Sequence, residues 1–277
     1  MISCPNVEKR VIRNHYNVST LFYRLLWGRH IHHGLWNADE PPEQAAQQLT
    51  ERVADEVGIP EGGRVVDIGC GMGGSSIHLA QRHHCHVTGV TISPFQQKWA
   101  TLASWKAGVR RQTQFVCQDA EALQLEPGTF DVAWSIECTE HLFNKPEFFR
   151  RMATWLKPGG RVAICAWLSG DEPLDETGRQ MVYDVCEGFF CPSLGTMADY
   201  EAWFRDAGLS MIRTFDWTDQ VSKTWEICEQ RIRKTGMHSV AKVVDRGQLI
   251  FLDRFRTLLD AYNTGAMKYG CFIAEKT

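Results

Sequence analysis

No window of this sequence is long and apolar enough to span a bilayer. Residues 1–14 are polar and lack the apolar run of a secretory leader. The ten cysteines, spread from Cys4 to Cys271, include no C-x-x-C pair. Cys70, Cys117, Cys138 and Cys165 fall in or beside stretches that read as buried strands. Reduced core thiols therefore fit better than a disulfide framework. There is no internal repeat, low-complexity tract or Pro/Ser linker. Nor is there an excess of one charge: the formal net charge is −3, with both signs mixed along the chain, so nothing recommends nucleic acid or an anionic membrane surface as a partner. These absences exclude an integral membrane protein, a disulfide scaffold and a repeat array. They lead to the expectation of a cytoplasmic protein without stable membrane insertion. With 277 residues, 44 % of them hydrophobic, the chain can bury a core that needs no staples, as one large domain with insertions or as two small ones.

What is present is organised around Val65-Val66-Asp67-Ile68-Gly69-Cys70-Gly71-Met72-Gly73-Gly74. The β-branched run reads as a buried strand, the glycines as a turn, and Ser75-Ser76-Ile77-His78-Leu79-Ala80 as the start of a helix. A strand, glycine turn and helix let a ligand lie against bare backbone at a helix N-terminus. Gly69, Gly71 and Gly74 also satisfy G-x-G-x-x-G, so the turn alone does not choose its ligand. Asp67 disfavours a pyrophosphate and suits a cation such as an ammonium. A second strand over residues 85–91 ends in Thr91 rather than the acid that a nicotinamide-binding unit places there. A third strand over residues 114–123 ends in an acid, Asp119. A fourth covers residues 130–136, and Leu156-Lys157-Pro158-Gly159-Gly160 leads into a fifth. Strands alternating with helices imply a parallel sheet with helices on both faces, and ligands then lie at the strand C-terminal ends. Gly69, Thr91, Asp119 and Ser135 all fall there.

The ordered set of D-x-G-x-G-x-G, the post-strand Asp119-Ala120, Phe130-Asp131 with Ser135, and L-K-P-G-G resembles the class I S-adenosylmethionine-dependent methyltransferases. Trp27-Gly28, His30-Ile31-His32-His33-Gly34-Leu35-Trp36 and Thr91-Ile92-Ser93-Pro94-Phe95-Gln96 bring it nearest to the γ-tocopherol methyltransferase-like small-molecule enzymes, with sugar and natural-product O-methyltransferases and cyclopropane fatty-acid synthases as cousins. The resemblance implies an α/β fold, a Rossmann-like, seven-stranded, mostly parallel sheet with an N-terminal helical lid and helical insertions around strand six. The corresponding division is 1–60 lid, 61–170 cofactor-binding core and 171–277 substrate wall with the last two strands.

For the cofactor, S-adenosylmethionine, the resemblance and the chemistry together single out Asp67, Gly69 and Gly71 for the methionine half. They assign Thr91, Ile92 and Gln96 to the ribose, Asp119 and Ala120 to the adenine, and Ser135 and Ile136 to the methionine tail. Tyr16 and His33 belong to the lid near the sulfonium. On the acceptor side, His141 is the candidate general base because an unperturbed imidazole titrates near neutrality. Glu140 orients it or binds substrate; in the cyclopropane-synthase cousins this position helps to hold a carbonate base. Related O-methyltransferases carry an acid at the end of strand five, where this chain has Cys165-Ala166-Trp167, which leaves the base open.

The histidines of the lid, and His83, His84 and His86, lack the companions of a metal site. Trp36, Trp167, Phe189, Phe190, Trp217, Trp225 and Phe251 suggest an aromatic, alicyclic or terpenoid-like acceptor. The expected activity is methyl transfer to O, N or C of a hydrophobic small molecule. Lipid alkylation of the cyclopropane-synthase kind needs a basic membrane-facing patch, which the sequence does not display, and a non-catalytic cofactor-binding subunit stays open beside it. Titration calorimetry is expected to show binding of S-adenosylmethionine or its demethylated product and none of NAD; tight NAD binding would reverse the reading.

Overall fold

A computed structural model describes residues 1–26, 28–235 and 246–277. Trp27 and residues 236–245, which fall within the expected helical insertions, lie outside the described residues, as does the Phe251 side chain. The elements are, in order, β1 (Ile2–Ser3), α1 (Lys9–Leu26), α2 (Pro42–Val57), β2 (Arg64–Ile68), α3 (Gly74–His83), β3 (His86–Thr91), α4 (Pro94–Lys106), β4 (Thr113–Cys117) and β5 (Phe130–Ile136). A 3-10 turn (Thr139–His141) leads to α5 (Lys145–Trp155), β6 (Leu156–Ser169), α6 (Glu176–Gly188), β7 (Ser193–Leu194), α7 (Met197–Asp206), β8 (Leu209–Asp216), α8 (Thr218–Thr235), α9 (Arg246–Asn263) and β9 (Met267–Lys276).

Seven strands form one sheet in the order β4-β3-β2-β5-β6-β9-β8, parallel except for β9, which runs against both β6 and β8. The Rossmann-like α/β expectation is met. Alternation along the strands divides the core. Val65, Val132, Trp134 and Cys165 join the face covered by α2, α3, α6, α8 and α9. Val66, Ile68, Ala133 and Ile164 join the face covered by α5 and α7. Period-two alternation with apolar residues on both faces is what a strand buried on both sides requires.

Local signals fix the helix ends. Thr196 and Asp199 make a reciprocal capping box at α7. Gly58, in the left-handed region at φ 68°, closes α2 through its N–H to the Ala54 carbonyl. The third strand ends earlier than expected, at Cys117, because the Asp119 carboxylate accepts the Glu121 N–H at 2.9 Å and turns the chain. β1 was not foreseen within a segment read as helical; it pairs antiparallel with β7, Ile2 opposite Leu194. A two-residue strand has no periodicity, and its partner is remote in sequence. Among the described residues no helix is long and apolar enough to cross a membrane.

Lys145 opens α5 yet is only 1 % exposed. Its Nζ donates to the Leu142 carbonyl at 2.8 Å, the Ser193 carbonyl at 2.9 Å and the Ser193 Oγ at 2.9 Å. Three donors meet three acceptors, so the buried ammonium is fully used. Burial draws its pKa down to about 8, against neighbouring acidic groups, Glu140 among them, that favour the ammonium. The cation ties the turn after β5 to β7, and through β7 to β1. Lys145→Met keeps the stem but strands these acceptors, an effect partly offset by relief of ammonium desolvation. It is expected to lower the unfolding free energy by about 2–4 kcal/mol in urea titration; a change within 0.5 kcal/mol, the ordinary range of a surface substitution at about that size, would show the clamp to be dispensable.

Candidate active site

The strand ends converge on a cleft of about 750 Å³. At its base, Gly69 and Gly71 hold φ 78° and 52°. The two glycines serve different ends. A Cβ on Gly69 would lie 2.3 Å from the Cys138 Cβ, so this residue lets β2 and the turn after β5 approach. A Cβ on Gly71 meets nothing closer than the Ile31 Cδ1 at 3.9 Å and would project into space that Gly71 itself lines. Asp67, at the end of β2, is buried and accepts from the Ser76 hydroxyl at 2.5 Å. Burial raises its pKa to about 7, and the Ser76 bond opposes that rise. An adjoining pocket of about 340 Å³ joins Asp67, Gly69, Gly71 and Ile136.

Thr91, Ile92, Gln96, Asp119, Ala120 and Ile136 all line the larger cleft. The Thr91 hydroxyl donates to the Gln96 Oε1 at 2.8 Å, leaving the buried Gln96 Nε2 without a partner. A buried amide donor facing a cleft is suited to a ligand hydroxyl. Asp119 is occupied from α1: Lys9 Nζ lies 2.7 Å from its Oδ2 and 2.6 Å from the Glu121 Oε2. Ser135 does not line the cleft. Its hydroxyl donates to the Ile68 carbonyl at 2.9 Å and fixes β5 against β2.

The turn after β5 carries the densest chemistry. Tyr16 reaches down from α1, and its hydroxyl lies 2.7 Å from the His141 Nε2. The His141 Nδ1 lies 3.1 Å from the Phe190 carbonyl, which only accepts, so the proton is on Nδ1 and Nε2 takes the Tyr16 O–H. Burial lowers the His141 pKa to about 4, against the Phe190 bond that raises it. The imidazole is neutral near pH 7, and its lone pair is already engaged. The expectation of a histidine titrating near neutrality is thereby corrected: desolvation removes it from that range.

Glu140 is 2 % exposed. Its Oε1 accepts the Trp167 N–H at 2.5 Å, and its Oε2 has no partner. Burial pushes its pKa up to about 8, with the Trp167 amide opposing. Glu140 lines a second, small chamber with Tyr16, His141, Trp167, Phe189 and Trp225. Tyr16, Ile31, Glu137 and His141 line this chamber and the larger cleft alike, so the two share a wall. The Trp167 Nε1 is also buried without a partner.

His33 is not brought to the cleft. Its ring Nδ1 lies 2.9 Å from the Glu137 Oε1, which also accepts the His33 N–H and the Tyr269 hydroxyl at 2.8 Å each. Trp167, Trp225, Tyr262 and Tyr269 surround the ring. Burial alone would raise the Glu137 carboxyl, but His33 holds it down at about 2. Of the expected acceptor-wall aromatics, Trp167, Phe189 and Trp225 line the chamber, whereas Trp36 donates to Thr224 and Trp217 stacks on Phe215. Phe190 contributes its carbonyl. Lys9, Glu137 and Lys145 were not assigned from sequence, since nothing distinguishes a lone charge that turns inward from one that stays in water. Among the described residues no His, Cys, Asp or Glu group is arranged to hold a metal.

A parallel sheet ordered this way, with a glycine turn and an acid-tipped β2 facing one cleft, defines the class I S-adenosylmethionine-dependent methyltransferases. The family model described as a methyltransferase domain matches residues 39–214, and the chain belongs to that family. The 2-methyl-6-phytyl-1,4-hydroquinone methyltransferase of Synechocystis sp. is 30 % identical over 270 residues, covering 90 % of this chain and 82 % of that protein. Tocopherol O-methyltransferase of Arabidopsis thaliana is 26 % identical over 295 residues, covering 97 % and 82 %. In fold, the cyclopropane synthase MmaA2 from Mycobacterium tuberculosis superposes with a TM-score of 0.86 at 17 % identity, covering 99 % of this chain and 100 % of that one.

The methyl donor of the family is S-adenosylmethionine, and the residues here fit it. The unpartnered Gln96 amide and the open side of Gly71 face the cleft, and Asp67 faces the pocket that continues it. Gly71→Ala is expected to weaken cofactor binding about tenfold or more in calorimetry, with about 1–2 kcal/mol of lost stability from its left-handed backbone. Gly69→Ala, driven into Cys138, is expected to destabilise the fold further. Equal affinity in Gly71→Ala and wild type would remove this turn from the cofactor site.

Proposed function

We propose that the protein methylates a hydroxyl group on a compact aromatic or alicyclic molecule, with Glu140 taking the proton. The observation that carries this reading is the unpartnered, buried Glu140 Oε2 in an aromatic chamber that shares a wall with the cofactor cleft. The named relatives act on a phytyl-substituted hydroquinone and a tocopherol, which supports an aromatic ring as the part of the acceptor that enters the chamber.

When bound, S-adenosylmethionine supplies an electrophilic methyl group on a sulfonium. Asp67 would face the ammonium of the methionine half, Thr91 and Gln96 the ribose, and Asp119 with the Ala120 amide the adenine edge. Ile92 and Ile136 form apolar wall, Gly69 and Gly71 give close backbone approach, and Ser135 keeps β5 in register with β2. His33 acts indirectly by pinning Glu137. Residues 1–60 work as the lid over the 61–170 core, and residues 171–277 supply the acceptor wall. Ten cysteines without a disulfide support a cytoplasmic setting.

A proton acceptor works best with a pKa near the working pH. Glu140, raised to about 8, meets that condition, and His141, at about 4, does not. The ionised Glu140 would accept the acceptor's O–H as the new O–C bond forms, while the Trp167 Nε1–H holds a second polar atom. The Tyr16–His141 pair then positions the lid. Because the ionised form is the active one, the rate of methyl transfer is expected to rise with pH through about 8 and level off above it. In an assay with labelled methyl donor, Glu140→Gln is expected to lose this limb and about 10²–10⁴-fold in rate, with cofactor affinity kept. His141→Ala should retain the limb. A Glu140→Gln variant within a few-fold of wild type, with an unchanged pH profile, would point to alignment as the main source of rate.

A further inference from the structure

Helix α4 is built inside out. Its buried residues are Gln96, Ala100 and Ser104, polar or small. Its bulky apolar residues face water: Phe95 is 39 % exposed, Leu102 52 % and Trp105 63 %. An amphipathic helix of a water-soluble domain puts the large residues inside, so this face is made for something other than water. Charge marks the same place. Residues 68–118 contain no Asp or Glu, and among their cations Arg82, Lys98, Lys106, Arg110 and Arg111 are all exposed. Averaged over the chain the charges are mixed, which gave the expectation of no basic membrane-facing patch; over this stretch they are of one sign, and that expectation does not hold here. Among the described residues none of these five has an ion-pair partner, whereas Arg150, Arg161, Arg179 and Arg213 elsewhere are each paired.

Apolar and basic groups share one surface. Lys98, Leu102, Trp105 and Arg110 rim a single shallow depression. Trp99, Leu102, Lys106 and Arg82 line the adjoining groove, whose carboxylates Glu43 and Glu51 come from α2. We infer that the outer face of α4 docks this protein on an anionic lipid bilayer, with Leu102 and Trp105 entering the interface and the flanking lysines and arginines meeting the headgroups.

The pattern selects this occupant over others. Trp beside Lys and Arg stems suits a boundary that is apolar on one side and wet and negative on the other. A symmetric pairing of two copies through this face would set unpaired cations against cations. A nucleic acid backbone would satisfy the charge but offers no apolar medium for Leu102. The face also borders the lid, since the Ser93 hydroxyl at the start of α4 donates to the Asn17 Oδ1 of α1 at 2.6 Å. On the reading of a hydrophobic acceptor, a docked α4 would hold the cleft near a bilayer in which that acceptor dissolves; docking itself does not require that reading.

The test is co-sedimentation of the full-length protein with vesicles of phosphatidylcholine mixed with phosphatidylglycerol, and with pure phosphatidylcholine. Wild type is expected to bind the mixed vesicles, less so as salt is raised, and to bind the neutral ones weakly. Lys98→Glu with Lys106→Glu should weaken binding by about twentyfold or more, since each surface cation is worth about fivefold. Leu102→Ser with Trp105→Ser should weaken it about tenfold or more at low salt. Both double variants should titrate cofactor as wild type does, which separates lost docking from lost folding or lost catalysis. Absence of binding to the mixed vesicles, or variants that bind like wild type, would overturn the inference. So would a wild-type dimer that Trp105→Ser dissociates, or duplex DNA bound in preference to vesicles.

Discussion

A single buried ammonium ties the turn after β5 to the small sheet of β1 and β7. The turn after β5 is too short to be stabilised by its own ladder, and its last carbonyls face inward. Lys145 satisfies them and reaches the backbone and hydroxyl of Ser193 in the same coordination. Ser193 lies opposite Ser3 in the small sheet of β1 and β7, so one cation joins the turn that carries Glu140 and His141, the insertion before α7, and the start of the chain. Burying a charge is costly. Here the cost is offset because every donor is used and because each bond joins segments distant in sequence.

Around that clamp, burial acts differently on neighbouring groups. Glu137 and Glu140 stand three residues apart, and both are withdrawn from water. Glu137 is paired with His33 and stays ionised; Glu140 receives one backbone N–H and is pushed toward its neutral form. Two carboxyls driven apart in this way can take different tasks, the first as a strut and the second as a proton acceptor. His141 directly follows Glu140 in the sequence. Tyr16 and the Phe190 carbonyl occupy both of its nitrogens, which makes it a joint between α1, the turn after β5 and the segment after α6.

Much of this was legible in the residues. The β-branched run before Gly69, the spacing to Thr91 and Asp119, and the alternation of strands and helices pointed to the sheet and to residues that line one cleft at its strand ends. Local propensity and period survive into the fold because each is set by near neighbours. His33 shows where that reasoning stops. Its place beside Trp36 in a lid motif suggested an approach to the cofactor, yet the ring is enclosed by Trp167, Trp225, Tyr262 and Tyr269, none of them near it in sequence.

The sequence by itself therefore determined the class of fold and the kind of cofactor, since these follow from backbone freedom at glycine and from hydrophobic period. Only the tertiary structure decided which acid is charged, which histidine nitrogen carries the proton and which way the bulky residues of α4 face. Desolvation and orientation belong to no single residue. A carboxyl at Glu140 has the same chemistry as one at Glu137 until remote segments close over both and give a partner to one of them. Trp105 counts as a core residue in any pattern until the packing of α4 against α1 and β4 leaves it in water.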